Sequence, residues 1–441
     1  MLDAVRSRRI LALALPIMGA MASQSLLNLV DAAMVGSLGG EALAAVGLGG
    51  YANFMAISLV LGLGAGVQAM VARRKGEGDP TVYAVPLNAG LLIGMALSVP
   101  ILLFFWQFSA DLMAVLAADD AVQALAEPYL LARICGVFAV AMNFSYRGYW
   151  NGINRSGVYL RTLVSVHVLN VIISYGLIFG AFGLPELGST GAGIGTTLAL
   201  YFGSLLYFIQ TWREGRVHGF MVARPARTTL LNILRVAAPQ SVQQLLFSAG
   251  LVVLFWIIGR IGTQEVAVAH VLITLVLFLI LPAIGLGLSA TSLVGQALGR
   301  REPEDAYRWG WDVTRLAMIL LFLMALPMWL VPDLILGIFL REPELVELGR
   351  LPLMITGLAI CLDGIAIVFT QALLGAGAAR SVMLVTLCVQ WCFFLPLAYI
   401  IGPVLGGGLL GVWILQAGQR LVTSLLLGRL WMRRQWVDIR L

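Results

Sequence analysis

A chain of 441 residues that is 60% hydrophobic and only 11% charged, with mean hydropathy +0.94, cannot coat a water-soluble core with a charged shell. It reads as a polytopic membrane protein, with lipid as the solvent for most of its surface. The net charge of +6 and pI near 9.3 do not argue for nucleic acid, because the basic residues stand in short clusters between apolar stretches without interleaved aromatics.

Apolar runs of about 20 residues recur along the chain, which suits helices and not the short alternating strands of a barrel. The expected fold class is all-α, with twelve transmembrane helices. The chain opens with Arg6, Arg8 and Arg9, an apolar run and Ala20-Met21-Ala22, the outline of a signal peptide. An equivalent helix recurs in mid-chain, so this segment is taken as the first span. Spans follow near 10–36, 43–72, 84–106, 126–150, 158–181 and 190–212, and then near 230–258, 265–298, 306–331, 346–375, 380–402 and 408–432. The longest polar link, 213–229, reads as a surface connector between an N-terminal six-helix bundle (1–212) and a C-terminal one (230–441).

The halves repeat. A shift of 223 superposes Pro16 on Pro239, Gly39 on Gly262, Gly64 on Gly287, Val71 on Val294, Gly76 on Gly299, Pro80 on Pro303 and Gly152 on Gly375 without a gap. One constant offset held over so many positions is the mark of an internal duplication, which transporters commonly carry. Six spans per half make both copies enter from the same side, a parallel pseudo-two-fold repeat that predicts a cavity between the bundles. With the N-terminus inside, all 28 Lys and Arg except Arg133, Arg260, Arg341, Arg350 and Arg420 fall on the cytoplasmic side. Both termini are therefore expected in the cytoplasm, in a multi-pass inner-membrane protein.

Of the 22 acidic residues, Asp31 and Asp363 fall well inside apolar spans. A carboxylate at mid-bilayer costs about 2.5–3.5 kcal/mol on insertion scales, which makes each a candidate functional group. Gln24, Asn28 and Asp31 share one face of the first helix at i, i+4, i+7. Asp31 stands about 33 Å along that helix from Arg9, in its outer part. The fifth span carries a matching stripe of His167, Asn170 and Ser174; the sixth carries Thr196, Thr197 and Tyr201. Protonation of Asp31, or sodium held by Asp31 with oxygens such as those of Asn170 and Thr196, are both open. Asp363 has Thr356 and Thr370 seven residues away on its face. It can form a second cation site, meet a cationic substrate, or pair with Arg420. His167 and His270 read individually as packing residues.

Other motifs carry no chemistry. Gly62-Leu-Gly-Ala-Gly66 lacks a preceding strand and a phosphate-binding lysine, so it reads as close helix packing. Cys135, Cys361, Cys388 and Cys392 lie in apolar segments without metal partners and read as packed small hydrophobes. Pro16, Pro239, Pro282, Pro327 and Pro396 mark kinks within spans. No Walker motif, metal-ligand cluster or nucleophile–base spacing is present, so neither an ATPase nor another enzyme is expected.

The opening LALPIMGAMASQSLLNLVDAAMVGSLGGEALAAVGL, with its aspartate in VDxxMVG, resembles the first helix of the multidrug and toxic compound extrusion (MATE) transporters. AAPQSV, LGRREPEDA and LLGAGAAR resemble later elements of that family, and the likeness covers essentially the whole chain. The resemblance implies an antiporter that expels amphipathic, often cationic, compounds using an inward proton or sodium gradient. A monomer working without a cofactor is expected. By that likeness Asp31 matches the cation-coupling aspartate, Asn170 the fifth-helix asparagine, and Thr196, in the helix opened by GAGIG, the sixth-helix threonine, with Gln24 and Asn28 as polar support. Ser174 stands where some members carry a second carboxylate, which lowers the charge of the site. Asp363 resembles the tenth-helix aspartate of the NorM-like branch, while Phe247 stands near the place of that branch's seventh-helix glutamate. The alternative within the same architecture is a flippase for a lipid-linked or amphipathic product. Its expected lining of Arg and Lys within the spans is almost absent here.

Overall fold

The computed structural model describes residues 3–117 and 119–441. In lipid, each backbone N–H and C=O must be satisfied within its own segment, so an apolar chain of this kind resolves into helices. Sixteen α-helices occur among the described residues: α1 (Ala4–Gly36), α2 (Gly40–Glu77), α3 (Val85–Leu116), α4 (Asp120–Ile134), α5 (Val137–Gly152), α6 (Ser156–Phe179), α7 (Gly188–Gly215), α8 (Arg227–Gly259), α9 (Thr263–Leu279), α10 (Leu281–Gly299), α11 (Pro303–Leu330), α12 (Pro332–Phe339), α13 (Pro343–Ala376), α14 (Ala379–Leu387), α15 (Leu395–Tyr399) and α16 (Gly408–Met432). Eleven stretches are long and apolar enough to cross a bilayer, and the pair α4 and α5, bent by 46° at Cys135–Gly136, makes twelve if counted as one span.

Several details differ from the sequence reading. The eleventh span is not a plain kinked helix: π-helical stretches at Cys388–Phe394 and Ile400–Val404 flank α15. Pro396 cannot donate to the ladder, and the register shifts by one residue beside it. Cys388 and Cys392, read as packed, are exposed on this segment.

The connector is shorter than its charges suggest and is firmly held. Arg213 belongs to α7, and Arg227 already opens α8. Between them Phe220 is fully buried, the Asn88 amide donates to the carbonyls of Gly219 and Ala223 at 2.9 Å, and the amide N–H of Met221 returns a bond to Asn88 Oδ1 at 3.1 Å. His218 Nδ1 lies 2.7 Å from the Tyr149 hydroxyl.

The chain divides into two compact units, one comprising Gly19–Ser241 and the other the residues up to Met18 with Val242–Arg440. The divisions fall inside α1 and α8, two residues beyond Pro16 and Pro239, at equivalent positions of the repeat. The same packing rule builds each unit. In the first, a Cβ added to Gly152 would meet Gln68 O of α2 at 3.2 Å, and one added to Gly148 would meet Gly64 O at 2.6 Å. In the second, a Cβ on Gly375 would meet Thr291 O of α10 at 2.5 Å. Gly62 and Gly66 receive the first half of α8 at Ala237 and Ile233, with the Gly62 amide donating to Ser241 Oγ at 3.1 Å. The equivalent Gly285 receives Met18 of α1, whose Cγ would stand 2.6 Å from an added Cβ. The duplication extends to the backbone: Gly78 (φ +88°) matches Arg301 (φ +63°), and Asn154 (φ +64°) matches Gly377 (φ +92°). A left-handed residue thus ends the same helix in each half, even where the side chain makes it costly.

Gly375→Val should lower the thermal unfolding midpoint of the detergent-solubilised protein by several degrees, since overpacking against backbone costs about 1–3 kcal/mol. Gly418→Ala, where nothing lies within 4 Å of the new methyl, should leave the midpoint unchanged or slightly raised. Equal behaviour of the two variants would contradict the close-approach account.

Candidate functional site

Within the Gly19–Ser241 unit, the second half of α1 runs alongside α6. A Cβ on Gly19 would stand 3.4 Å from Leu160 Cδ1, and Ser23 and Gln24 both reach His167. Both contacts advance along the two helices in the same direction, which places Asp31 at the level of Ser174. The polar stripe expected on α1 is here a relay. Gln24 Nε2 donates to Asn28 Oδ1 at 3.1 Å, so Gln24 Oε1 is left to accept from His167 Nε2, also at 3.1 Å. His167 Nδ1 must then accept from the Ser23 hydroxyl at 2.7 Å. His167 is 6% exposed and its two ring nitrogens are satisfied as the neutral Nε2–H tautomer. His167, read as a packing residue, is satisfied at both ring nitrogens and also joins α1 to α6.

Below this relay α7 closes on α6. Gly195 of α7 lies against Ser174, and a side chain there would fall on the Ser174 hydroxyl. Asn170 and Ser174 are almost fully buried, and the Ser174 hydroxyl donates to Asn170 Oδ1 at 3.2 Å. Thr196, half-buried, spends its proton on the Ala192 carbonyl at 2.9 Å and keeps its oxygen lone pairs. The next residue, Thr197, donates to Ala132 O of α4 at 2.8 Å, and Tyr201 donates to Cys135 O at 2.7 Å. Four helices thereby bring Asp31, Arg133, Ser174 and Thr196 to one level.

Arg133, which the charge distribution alone treats only as an outer-side charge, has its Nε and Nη1 buried without hydrogen-bond partners, and its charge reaches Asp31. An arginine within the span 126–150 is the signal available in the sequence. Asp31 Oδ1 is likewise buried and unpartnered, and no hydrogen bond or ion pair among the described residues joins Asp31 to Asn170, Ser174 or Thr196. An unsatisfied carboxylate oxygen in an apolar setting is costly, which marks a group kept for something other than packing. No group of three or more His, Cys, Asp or Glu side chains suited to a metal ion occurs among the described residues. The oxygens available to a cation at Asp31 come from amide and hydroxyl groups.

The other unit does not duplicate this site. Leu254, at the position equivalent to Asp31, is 2% exposed in an apolar core. Asp363 of α13 accepts from Arg420 Nη1 of α16 at 2.5 Å, with both side chains mostly buried. Of the roles open to Asp363, pairing with Arg420 is the one present; a cation or cationic substrate would have to displace the guanidinium. Thr370 stands two turns further along α13, half-buried. Thr356 is engaged elsewhere, donating to Pro352 O at 2.8 Å and accepting from Trp413 Nε1 at 2.9 Å.

Comparison with known proteins places these features in a wider setting. A family profile described as MatE matches the chain twice, over residues 16–176 and 239–400, the two copies set off by the same 223 residues as the repeat. A protein named "Probable multidrug resistance protein NorM" from Agrobacterium fabrum is 29% identical over 421 residues, covering 91% of this chain and 88% of its own length. Its namesake from Thermotoga maritima is 26% identical, covering 92% and 88%. Among solved structures, an outward-facing multidrug resistance MATE family transporter of the MOP superfamily superposes with a TM-score of 0.90 at 25% identity, covering 99% of this chain and 97% of its own. A MOP superfamily transporter from Pyrococcus furiosus shares the fold, with a TM-score of 0.86 at 23% identity, covering 99% and 97%.

Breaking the Asp363–Arg420 pair tests its structural weight. Asp363→Asn leaves a buried guanidinium uncompensated and should cost about 3–5 kcal/mol, read as a lower unfolding midpoint. The double variant Asp363→Leu/Arg420→Leu should recover most of that loss. A double variant no better than the single one would show that the two charges act separately.

Proposed function

The chain belongs to the MatE family of multidrug transporters, and from that premise we propose that it is a cation-coupled antiporter exporting amphipathic or cationic compounds by alternating access. It is a multi-pass membrane protein, and the family is one of transporters, not of enzymes. The asymmetric distribution of Lys and Arg supports an inner-membrane placement with both termini in the cytoplasm. The relatives' names, which call them multidrug resistance proteins, support small amphipathic molecules as the cargo. The reading needs no cofactor and no second subunit.

The observation that carries it is the unpartnered Asp31 carboxylate oxygen, buried at the level of Ser174 and Thr196 and within reach of the Arg133 charge. A carboxylate so held responds to a single cation: occupancy removes its charge, and the energy of burying α1 against α6 and α7 changes accordingly. Occupancy differing between two conformations shifts their populations by the difference in binding free energy, which is all that coupling requires. The proton is the better-suited ion. A sodium ion must exchange its water for several oxygens. Here one carboxylate faces a nearby guanidinium, Ser174 supplies no second charge, and Asn170 Oδ1 already accepts from Ser174. The His167 relay fixes the helix that carries Asp31 without competing for its oxygens.

Purified protein in proteoliposomes, loaded with a fluorescent cationic dye, should export it under an inward proton gradient and not under an inward sodium gradient alone. Asp31→Asn should abolish gradient-driven export, and drug resistance in an efflux-deficient host, at unchanged membrane abundance. Sodium-driven export would replace the proton in this scheme; full activity of Asp31→Asn would remove Asp31 from it. Arg133→Gln, which deletes the neighbouring positive charge, should strengthen cation binding at Asp31 severalfold. That change is read as a lower half-saturating ion concentration for transport.

A further inference from the structure

At its charged end α11 presents an arc of side chains that the transport mechanism does not use. Tyr307, Arg308, Trp311, Asp312 and Arg315 line a pocket of about 380 Å³. Each edge of this arc is fixed. On one side Asp312 Oδ2 accepts from Arg6 Nε of α1 at 2.5 Å, Asp305 Oδ1 accepts from Arg6 Nη1 at 2.6 Å, and the Arg6 guanidinium stacks 3.6 Å over Trp309. On the other side Tyr307 stacks parallel to Trp431 of α16 and receives the Arg434 guanidinium at 4.1 Å. Trp311 stands edge-on to the buried Phe369, with centroids 5.1 Å apart. The floor is therefore rigid, and the two arginines above it are free to meet a ligand. Arg308 is exposed, and Arg315, 54% exposed, has only a 3.7 Å contact with Asp312 Oδ1. The carboxylate in the pocket is already neutralised by Arg6.

The position along the helix identifies the ligand class. Arg315 is the last charge on α11, and residues 316–332 carry none. The same arc continues one and two turns on as Ile319 and Phe322, which are 49% and 47% exposed. Two guanidiniums and two aromatic rings at the lipid–water boundary, continued by an exposed apolar track, match a phosphate headgroup with an acyl chain below it. The fold does not require these arginines. At the 223-residue offset α3 carries Val85, Asn88 and Leu92 in place of Arg308, Trp311 and Arg315.

We propose that the pocket on α11 binds an anionic phospholipid, its phosphate between Arg308 and Arg315 and its acyl chain along Ile319 and Phe322. The site is independent of the cation site and of the transported compound. The test titrates the detergent-solubilised full-length protein with phosphatidylglycerol, phosphatidylcholine or glycerol 3-phosphate, reading bound lipid by native mass spectrometry and the unfolding midpoint in parallel. Phosphatidylglycerol should bind saturably and raise the midpoint, whereas phosphatidylcholine and glycerol 3-phosphate at the same concentrations should not. Arg308→Gln/Arg315→Gln should weaken phosphatidylglycerol binding roughly thirtyfold, at about fivefold for each basic residue at a membrane surface. Arg224→Gln/Arg227→Gln, which removes the same charge from two other exposed arginines, should bind as the unaltered protein does. Equal weakening by both double variants, an equal response to phosphatidylcholine, or saturation by glycerol 3-phosphate alone would overturn the proposal. Both double variants change only exposed side chains, and elution as a single symmetric species confirms that each is folded.

Discussion

The structure depends on backbone meeting backbone at glycine. Between helices in lipid there is no hydrophobic gain to be had, so association rests on close van der Waals contact and on the few polar groups that can bond across. Gly148 and Gly152 let α5 lie on α2, and Gly375 does the same for α13 on α10. Gly62 and Gly285, again equivalent, admit the first halves of α8 and α1. Each of these positions has a backbone atom of the neighbouring helix where a side chain would stand. The duplication keeps glycine at Gly62 and Gly285 and at Gly152 and Gly375, where the neighbouring helix comes close, while many of the residues between them differ.

That difference is where function enters. The two units share a frame but not their charges. One holds Asp31 near Arg133 without a direct bond, a costly arrangement that packing alone does not justify. The other places Leu254 at the equivalent position and keeps its own buried carboxylate, Asp363, closed by Arg420. A buried pair with good geometry roughly balances its desolvation, whereas an unpaired group does not. The contrast separates a charge closed by a partner from one left without a direct bond.

Much of the frame was legible in sequence. The twelfth span, 408–432, coincides with α16, and most of the others agree with the helices to within a few residues in the apolar stretch. The reason is local: hydropathy and Gly/Pro punctuation act on each segment separately. Gln24, Asn28 and Asp31 were legible as one face because helical spacing alone decides it. The π-helical stretches beside Pro396 and the buried connector at Phe220 were not, since each depends on what the rest of the unit packs against it. Nor was the approach of Arg133 to Asp31, which depends on how α4 packs beside α1.

By itself, the sequence determined that the chain is helical and membrane-embedded, that it is duplicated at 223 residues, and that Asp31 and Asp363 are its anomalous charges. These follow from composition, period and transfer cost, none of which needs a neighbour. Only the tertiary structure decided which anomaly is paired. Asp363 and Arg420 are far apart in sequence and meet because α13 packs on α16; Asp31 of α1 and Arg133 of α4 approach without bonding. Pairing is a property of distance in space, and the helices that set that distance are positioned by glycines remote from either charge.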